Sequence, residues 1–383
     1  MKKILVVDDE PDLELLLRQK FRRKMRRREI ELVFASNGVE ALDKLNEQDD
    51  IDMVLSDINM PEMDGLTLLS QINSLDLDLR AVIVTAYGDM ENIRTAMNRG
   101  AFDFLTKPIN FDDLETTIDK TIRHLEVMRE ALRSRDELVA LRQELGVAAQ
   151  MQDSILPKVF PQHPRYGLFA WMTPAKEVGG DFYDFFPVED EGFAVVVADV
   201  SGKGVPAALF MMVSRTLVKG SALGEREPVK CITEVNQLLY EQNKESMFVT
   251  MFYAVLDPAS GLLQYVNGGH NLPCLVKPSG EVTWLPGDSG IVLGVIDEFP
   301  YQQHSMQLEE GDIVFFYTDG VTEAMDEAGN QFGDDTLLDV LRRAAGADPE
   351  DMTRQVVDAV HEHAGGAPQS DDLTCLALRY GGD

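Results

Sequence analysis

The chain has 383 residues, 44% of them hydrophobic and 26% charged, which is ordinary for soluble globular protein and enough for two or three separate cores. A formal net charge of −31 excludes broad affinity for nucleic acid, whose phosphates are held by clustered cations. Cys231, Cys274 and Cys375 are odd in number and widely spaced, so they read as buried thiols of a reducing compartment rather than a disulfide framework. The start, Met1 to Val7, turns acidic at Asp8 too soon for a signal peptide, and no apolar run approaches the roughly 18 residues of a membrane span. A cytoplasmic protein is expected.

From Lys3 to about Lys120, short apolar runs alternate with helical patterns: Ile4 to Val7, Leu32 to Ala35, Met53 to Leu55, Ala81 to Val84 and Phe102 to Leu105. Such alternation predicts a parallel sheet with helices on both faces and ligands beyond the carboxyl ends of the strands. Within it, Arg18, Lys20, Arg22, Arg23, Lys24, Arg26, Arg27 and Arg28 form a basic stripe, expected to be the solvated face of one amphipathic helix. Asp8 and Asp9 end the first run, Asp57 the third and Thr85 the fourth, and Lys107 follows the fifth, just before Pro108. Carboxylates on one rim can hold a divalent ion, while an ammonium and a hydroxyl can receive an added anion; a carboxylate there can accept a phosphoryl group.

This set, with Met60-Pro61 and Lys107-Pro108, resembles the receiver domain of two-component response regulators, over residues 1–120. The resemblance implies a flavodoxin-like α/β fold and Asp57 as the phosphorylated residue, with a sensor histidine kinase or phosphotransfer protein as donor. It also implies Mg²⁺ held by Asp8, Asp9, Asp57 and the backbone carbonyl of Asn59, and a switch formed by Thr85, Phe104 and Lys107. Phe104 stands where Tyr is common, which removes a hydroxyl but leaves apolar burial open. The bland alternative is a receiver-like interaction domain that is never phosphorylated.

Between Phe111 and Ile155 there is no proline and no glycine before Gly146, and apolar residues recur at threes and fours. Leu114, Ile118, Ile122, Leu125, Met128 and Leu132 make one stripe, and Leu138, Leu141, Leu145, Ala148 and Ile155 another. At about 1.5 Å per residue such a helix reaches roughly 65 Å, too long for one small domain to bury. A helical coiled-coil linker over 121–160 and a parallel homodimer are expected, with a slip near Arg133 to Asp136 and an end at Pro157. The plainer alternative is a helix that packs only along its own two domains.

From 161 to 383, runs such as Phe193 to Ala198, Phe248 to Leu256 and Ile313 to Tyr317 alternate with helical stretches near Pro206 and Val229, at Asp335 to Ala345 and at Glu350 to His363. This predicts an α+β sandwich. Four carboxylates recur in glycine turns or at run ends, in Gly179-Gly180-Asp181, Asp199-Val200-Ser201-Gly202-Lys203-Gly204, Thr318-Asp319-Gly320 and Ser370-Asp371-Asp372. Scattered oxygen ligands of this kind suit a shared cluster of hard divalent cations. The glycine turn at 202–204 is not a phosphate-binding loop, because Lys203 is followed by glycine.

The ordered set resembles the metal-dependent (PPM) protein phosphatase superfamily, specifically its SpoIIE-like (RsbU-like) branch. That resemblance implies two stacked sheets flanked by helices and two Mn²⁺ or Mg²⁺ ions. Asp181, Asp199, the Val200 carbonyl, Asp319 and Asp371 would be ligands, with Asp199 bridging. Asp372 would support the site from behind, and Asp184 and Glu323 would be supporting or surface charges. Lys203 is open between substrate contact and a solvated side chain, and His270 reads as a satisfied turn histidine. The whole is read as a response regulator whose output is dephosphorylation of phosphoserine or phosphothreonine on an anti-sigma-factor antagonist or similar regulator. A phosphorylation-controlled binding module without hydrolysis is the alternative.

Overall fold

The computed structural model describes residues 1–381 apart from 76, 87–88, 190 and 244–245. The chain divides into two compact units, Met1–Ala140 and Leu141–Asp383.

The first unit runs β1 (Lys2–Val7), α1 (Pro11–Lys20), α2 (Arg22–Arg26), β2 (Ile30–Ala35), α3 (Gly38–Glu47), β3 (Met53–Asp57), α4 (Gly65–Ser74), β4 (Arg80–Ala86), α5 (Met90–Asn98) and β5 (Asp103–Lys107), then enters α6 (Phe111–Ile155). All strand pairs are parallel, in the order β2-β1-β3-β4-β5. Strand order reverses between β1 and β3, which opens a crevice at their carboxyl ends. Strand residues are apolar on both faces because both are covered. Leu5, Val7, Val54 and Ile83 meet Ala41, Leu69 and Ala96 on one side, while Ile4, Val6, Leu55 and Val84 meet Leu17, Leu114 and Ile118 on the other. Asn37 and Asp64 cap α3 and α4, accepting the Glu40 and Thr67 N–H groups at 2.9 and 2.6 Å.

The basic stripe does not lie on one helix. Phe21 is buried and leaves helical geometry at φ −91°, ψ 9°, so the chain breaks between α1 and α2 and turns through Arg28 at φ 56°. Nor are its lysines merely solvated: Lys20 pairs with Asp112 at 3.1 Å, and Lys24 with Glu115 and Asp119 at 2.9 and 3.0 Å, all on α6.

Helix α6 is continuous over 45 residues, with no break at the polar stretch Arg133 to Asp136. Leu114, Ile118 and Leu125 are buried in the first unit, whereas Val127, Met128, Leu132 and Leu138 are exposed. In the second unit Leu141, Val147 and Met151 are exposed, and Ile155 and Leu156 join the core. Among the described residues, no helix is long and apolar enough to cross a membrane.

The second unit continues with β6 (Tyr166–Thr173), β7 (Phe182–Pro187), β8 (Phe193–Val200), α7 (Val205–Ala222), α8 (Pro228–Gln242), β9 (Val249–Asp257), β10 (Leu262–Gly268), β11 (Cys274–Val276), β12 (Val282–Trp284), β13 (Gln303–Gln307), β14 (Ile313–Tyr317), α9 (Asp319–Thr322), α10 (Gly333–Arg343), α11 (Pro349–Ala364) and β15 (Leu373–Tyr380). They form two antiparallel five-stranded sheets, β13-β10-β9-β8-β7 and β12-β11-β14-β15-β6. Inward-facing aromatics join the sheets, as where Phe252 of β9 meets Phe316 of β14 edge-on with ring centres 5.6 Å apart. On the outer faces, Ala207 and Met211 of α7 and Ile232 and Val235 of α8 belong to one core, and Leu337, Val340, Met352 and Val356 of α10 and α11 to the other. The expected sandwich flanked by helices is what forms, and the three cysteines are buried and free.

Candidate functional site

In the first unit, Asp57 is the last residue of β3 and Asp8 and Asp9 follow β1, and oxygens of the three carboxylates lie within 4.8 Å of one another. Asp57 is buried: its Oδ1 accepts the Ile58 N–H at 2.7 Å, and its Oδ2 accepts Lys107 Nζ at 2.7 Å. Lys107 also reaches Asp8 and Glu10, each at 3.0 Å. Burial alone would lower the Lys107 pKa, but its hydrogen bonds to Asp57, Glu10 and Asp8 outweigh that and raise it. Burial raises the Asp8 pKa, opposed by the Glu10 N–H and by Lys107. Thr85 is fully buried on β4, and its hydroxyl has no hydrogen-bond partner among the described residues, leaving a donor for an incoming anion. Phe104 is 37% exposed rather than buried, and Asn59 lies exposed two residues beyond Asp57.

Two contributors escaped the sequence reading. Glu10 shares Lys107, and its signal was the unbroken run Asp8-Asp9-Glu10. Gly65 is the other: a Cβ there would stand 2.0 Å from the Asp57 carbonyl oxygen, so only glycine lets α4 start against the end of β3.

In the second unit, Asp181 precedes β7, Asp199 is near the end of β8, Asp319 opens α9 after β14, and Asp371 precedes β15. Antiparallel pairing of β7 with β8 and of β14 with β15 puts these four positions at one end of the sandwich. The sheets are stitched there by Thr318, whose hydroxyl donates to Asp181 Oδ2 at 2.7 Å. Burial pushes the Asp181 carboxyl well above the usual range, and the charges of Asp199 and Asp372 add to it. Asp199 is pushed up to about 7, first by burial and then by Asp319 and Asp371. Asp319 rises through burial, Asp371 and Glu323. Such mutual repulsion of buried carboxylates is what a divalent cation relieves, and the all-oxygen donor set suits Mg²⁺ or Mn²⁺. The set is extended: among the described residues only Asp8, Asp9 and Asp57 meet the single-ion spacing of 4.8 Å.

Around this cluster the loops fit closely. The Val200 carbonyl oxygen lies 2.8 Å from where a Cβ of Gly180 would stand, so the Gly180 backbone packs directly against it. Asp372 does not turn its carboxylate to the cluster; it accepts the N–H groups of Ala175, Gly180 and Asp181 at 2.7, 2.6 and 3.3 Å. Gly202 and Gly204 hold φ of 88° and 79°, a tight turn that side chains resist. Lys203 is not a free solvated cation, since its Nζ pairs with Asp371 Oδ2 at 2.8 Å. Asp184 is neither a surface charge nor a neighbour of the cluster's ligands; it is 1% exposed and forms a buried pair with Arg215 at 2.8 Å. Glu323 is exposed.

His270 lies in the turn after β10, but its ring is not fully satisfied as expected: Nε2 is buried with no hydrogen-bond partner among the described residues. Its N–H donates to Asn267 Oδ1 at 2.7 Å, its Nδ1 meets Thr250 Oγ1 at 2.7 Å, and burial depresses its pKa to about 4. A neutral, enclosed imidazole of this kind is no general base at pH 7. Gln152, near the end of α6, belongs to neither apolar stripe of the linker. It is buried, and its carboxamide bonds both polar groups of the Gly179 backbone.

Residues 189–381 match the family Stage II sporulation protein E (SpoIIE), and residues 4–119 match the response regulator receiver domain. Phosphoserine phosphatase RsbU of Bacillus subtilis is 28% identical over 239 residues, covering 62% of this chain and 70% of RsbU. Protein IcfG of Synechocystis sp. is 30% identical over 267 residues, and this chain spans only 41% of its length. Among solved structures, the SiaA-PP2C domain of Pseudomonas aeruginosa superposes with a TM-score of 0.57 at 26% identity, over 64% of this chain and 98% of that one. The RsbU and RsbW domains of Rv1364c from Mycobacterium tuberculosis give 0.51 at 28% identity, over 58% and 61%. The SpoIIE match takes in half of the chain and the carboxylates Asp199, Asp319 and Asp371, so the chain belongs to the SpoIIE family of metal-dependent protein serine/threonine phosphatases and carries a response-regulator receiver domain ahead of that fold.

Proposed function

We propose that this is a cytoplasmic response regulator in which phosphorylation of Asp57, by a sensor histidine kinase or phosphotransfer protein, controls hydrolysis at Asp181, Asp199, Asp319 and Asp371. Receiver (1–120), helical linker (121–160) and phosphatase (161–383) are the working parts. Asp8, Asp9, Asp57 and the Asn59 carbonyl hold Mg²⁺ in the receiver. Asp181, Asp199, Asp319, Asp371 and the Val200 carbonyl hold two Mn²⁺ or Mg²⁺ ions in the phosphatase. When bound, such ions supply Lewis acidity toward a phosphoryl oxygen and lower the pKa of water. The chain's own residues do the rest: Thr318 and Asp372 fix the Asp181 loop, and Lys203 holds Asp371 at the rim. The substrate is phosphoserine or phosphothreonine on a small protein of the anti-sigma-factor antagonist type, a reading supported by the likeness to the phosphoserine phosphatase RsbU.

The observation that carries control by the receiver is α6, unbroken from Phe111 to Ile155, with Leu114 and Ile118 in one core and Ile155 packed against another. Its exposed Leu132, Leu138 and Leu141 support a homodimer through a coiled coil. One residue inserted after Ser134 rotates everything downstream by about 100°, whereas seven nearly restore the apolar face. Turnover of an aryl phosphate with Mn²⁺, with and without acetyl phosphate, tests this. The single insertion should abolish the response to acetyl phosphate and the seven-residue insertion should keep it; equal behaviour of the two would make α6 a passive tether.

A further inference from the structure

We infer that a cavity beside Asp371 is a side-chain subsite of the phosphatase centre. It takes one apolar residue of the phosphorylated protein, close in sequence to the phosphoserine or phosphothreonine, and so selects among substrates. The inference rests on the phosphatase reading above and adds what the centre recognises besides a phosphoryl group.

The cavity lies in the second unit among α9, the end of α11 and the segment leading into β15, and encloses about 180 Å³. Its lining is largely apolar. Ala324, Val360 and Leu373 are buried members of the core beneath it, and Met325, beside them, is 44% exposed. The space opens where α11 stops at Gly365, whose φ of 58° takes the chain out of helical geometry before it returns to β15. Protein interiors leave few voids larger than a water molecule, and an apolar cavity gives water no partners, so a space of this size and lining suits an apolar group. A cavity of about 150 Å³ takes up benzene. This one therefore has room for a side chain such as Leu, Met or Phe.

The shared wall assigns the occupant. Gly320 and Asp371 line the cavity, and Asp371 and the neighbour of Gly320, Asp319, are two of the four carboxylates of the centre. Gly320 packs so tightly that a Cβ on it would stand 1.9 Å from the Asp372 carbonyl oxygen, which joins the start of α9 to the loop before β15. From the other side Lys203 bonds the Ser370 carbonyl and the Asp371 carboxylate, so this wall is braced. A phosphoryl group held at the centre has the cavity next to it. The residue that carries that group belongs to a polypeptide, whose flanking side chains follow at about 3.3 Å per extended residue.

The test uses the full chain with saturating Mn²⁺ and a set of phosphoserine peptides in an alanine frame. A single Leu is placed in turn at each position from four before to four after the phosphoserine. Leu at one position, or at two adjacent ones, should raise kcat/KM on the order of 10-fold over the all-alanine peptide, as an apolar side chain entering a pocket does. Ala364→Leu fills the cavity from the last residue of α11 and should bring the favoured peptide down to the all-alanine one. Glu362→Leu, at an exposed position of the same helix outside the lining, should keep the preference. Should Ala364→Leu not hold its fold, Ala367→Leu fills the same space from the following loop and carries the comparison. The inference is overturned if no Leu position is preferred by the parent, if the preference survives in a folded cavity-filling variant, or if such a variant loses all peptides alike. A parent that hydrolyses an aryl phosphate but none of the peptides overturns it too. A parent that hydrolyses neither would instead overturn the phosphatase reading.

Discussion

The two acidic centres solve the same electrostatic problem in opposite ways. In the receiver three clustered carboxylates share a built-in cation, Lys107, which touches Asp8, Glu10 and Asp57 within 3.0 Å, and Asp9 stands open to water. In the phosphatase Asp181 is deeply buried and Asp199, Asp319 and Asp371 are half-buried, and among these carboxylates the ammonium of Lys203 pairs with Asp371 alone, while also bonding the Ser370 carbonyl. The charge of the first centre is partly offset by its own chain, one ammonium against the carboxylates of Asp8, Asp9, Glu10 and Asp57, and on the proposed reading Lys107 would exchange a carboxylate contact for the added phosphoryl group. In the second, burial and then the charges of Asp319 and Asp371 raise the Asp199 carboxyl, and burial and then Asp371 raise that of Asp319, so on the proposed reading bound cations would stabilise the fold as well as activate it.

The sharpest break in this comparison is to remove one charge from the phosphatase centre. Asp199→Asn or Asp319→Asn should reduce Mn²⁺-dependent turnover to background while labelling of Asp57 by acetyl phosphate is unchanged. Because the amide also relieves repulsion, the same variants in chelator should melt higher than the parent, by roughly 2–4 °C per kcal/mol relieved. A lower melting point would show that the cluster is not strained without metal. In the receiver, Asp57→Ala should lose the alkali-labile adduct completely and keep basal turnover; residual labelling would place the acceptor elsewhere.

Smaller effects probe what surrounds each centre. His270 lies behind Asp199, through Thr250, and burial lowers its pKa from 6.5 to about 4. Between those values the unfolded chain binds the proton more readily than the folded one. The contribution is therefore complete above pH 6.5 and lost as pH falls toward 4, up to about 3 kcal/mol. In denaturant titrations across pH 4–7 the parent should lose more stability than His270→Gln as pH falls, by this amount, over a slope from the raised carboxylates that both proteins share. Lys107→Met leaves the receiver carboxylates unpaired and should cost about 2 kcal/mol without metal, below the full value for a buried pair because Lys107 is 25% exposed. Mg²⁺ should restore most of it, and calorimetry with and without Mg²⁺ would reveal an ammonium that the ion cannot replace.

Most of the receiver was legible because its strands are short apolar runs that end on the functional residues: Asp57, Thr85 and Lys107 sit where the runs stop. The phosphatase carboxylates carry no period of their own, and only the glycine turns around them marked them in sequence. What stayed hidden was pairing across long separations. Asp184 looked like a neighbour of Asp181, yet strand alternation sends it to Arg215 on α7. The basic stripe looked like one helix because charge carries no sign of the buried Phe21 that breaks it. Gln152 was invisible as a contact because it meets Gly179, 27 positions away, through backbone atoms that no side-chain pattern announces.

The distribution of sulfur in the chain gives the two units different visibility to an experimenter. Every cysteine lies in the second unit, on α8, β11 and β15, and each is fully enclosed, with burial pushing the Cys231 thiol up to about 12. A thiolate reagent cannot react until that fold opens, and the receiver offers it nothing to modify. Labelling rates in the intact chain thus report the opening of the phosphatase fold alone, without truncation and without an introduced probe, while the receiver is phosphorylated, loaded with ions or left idle.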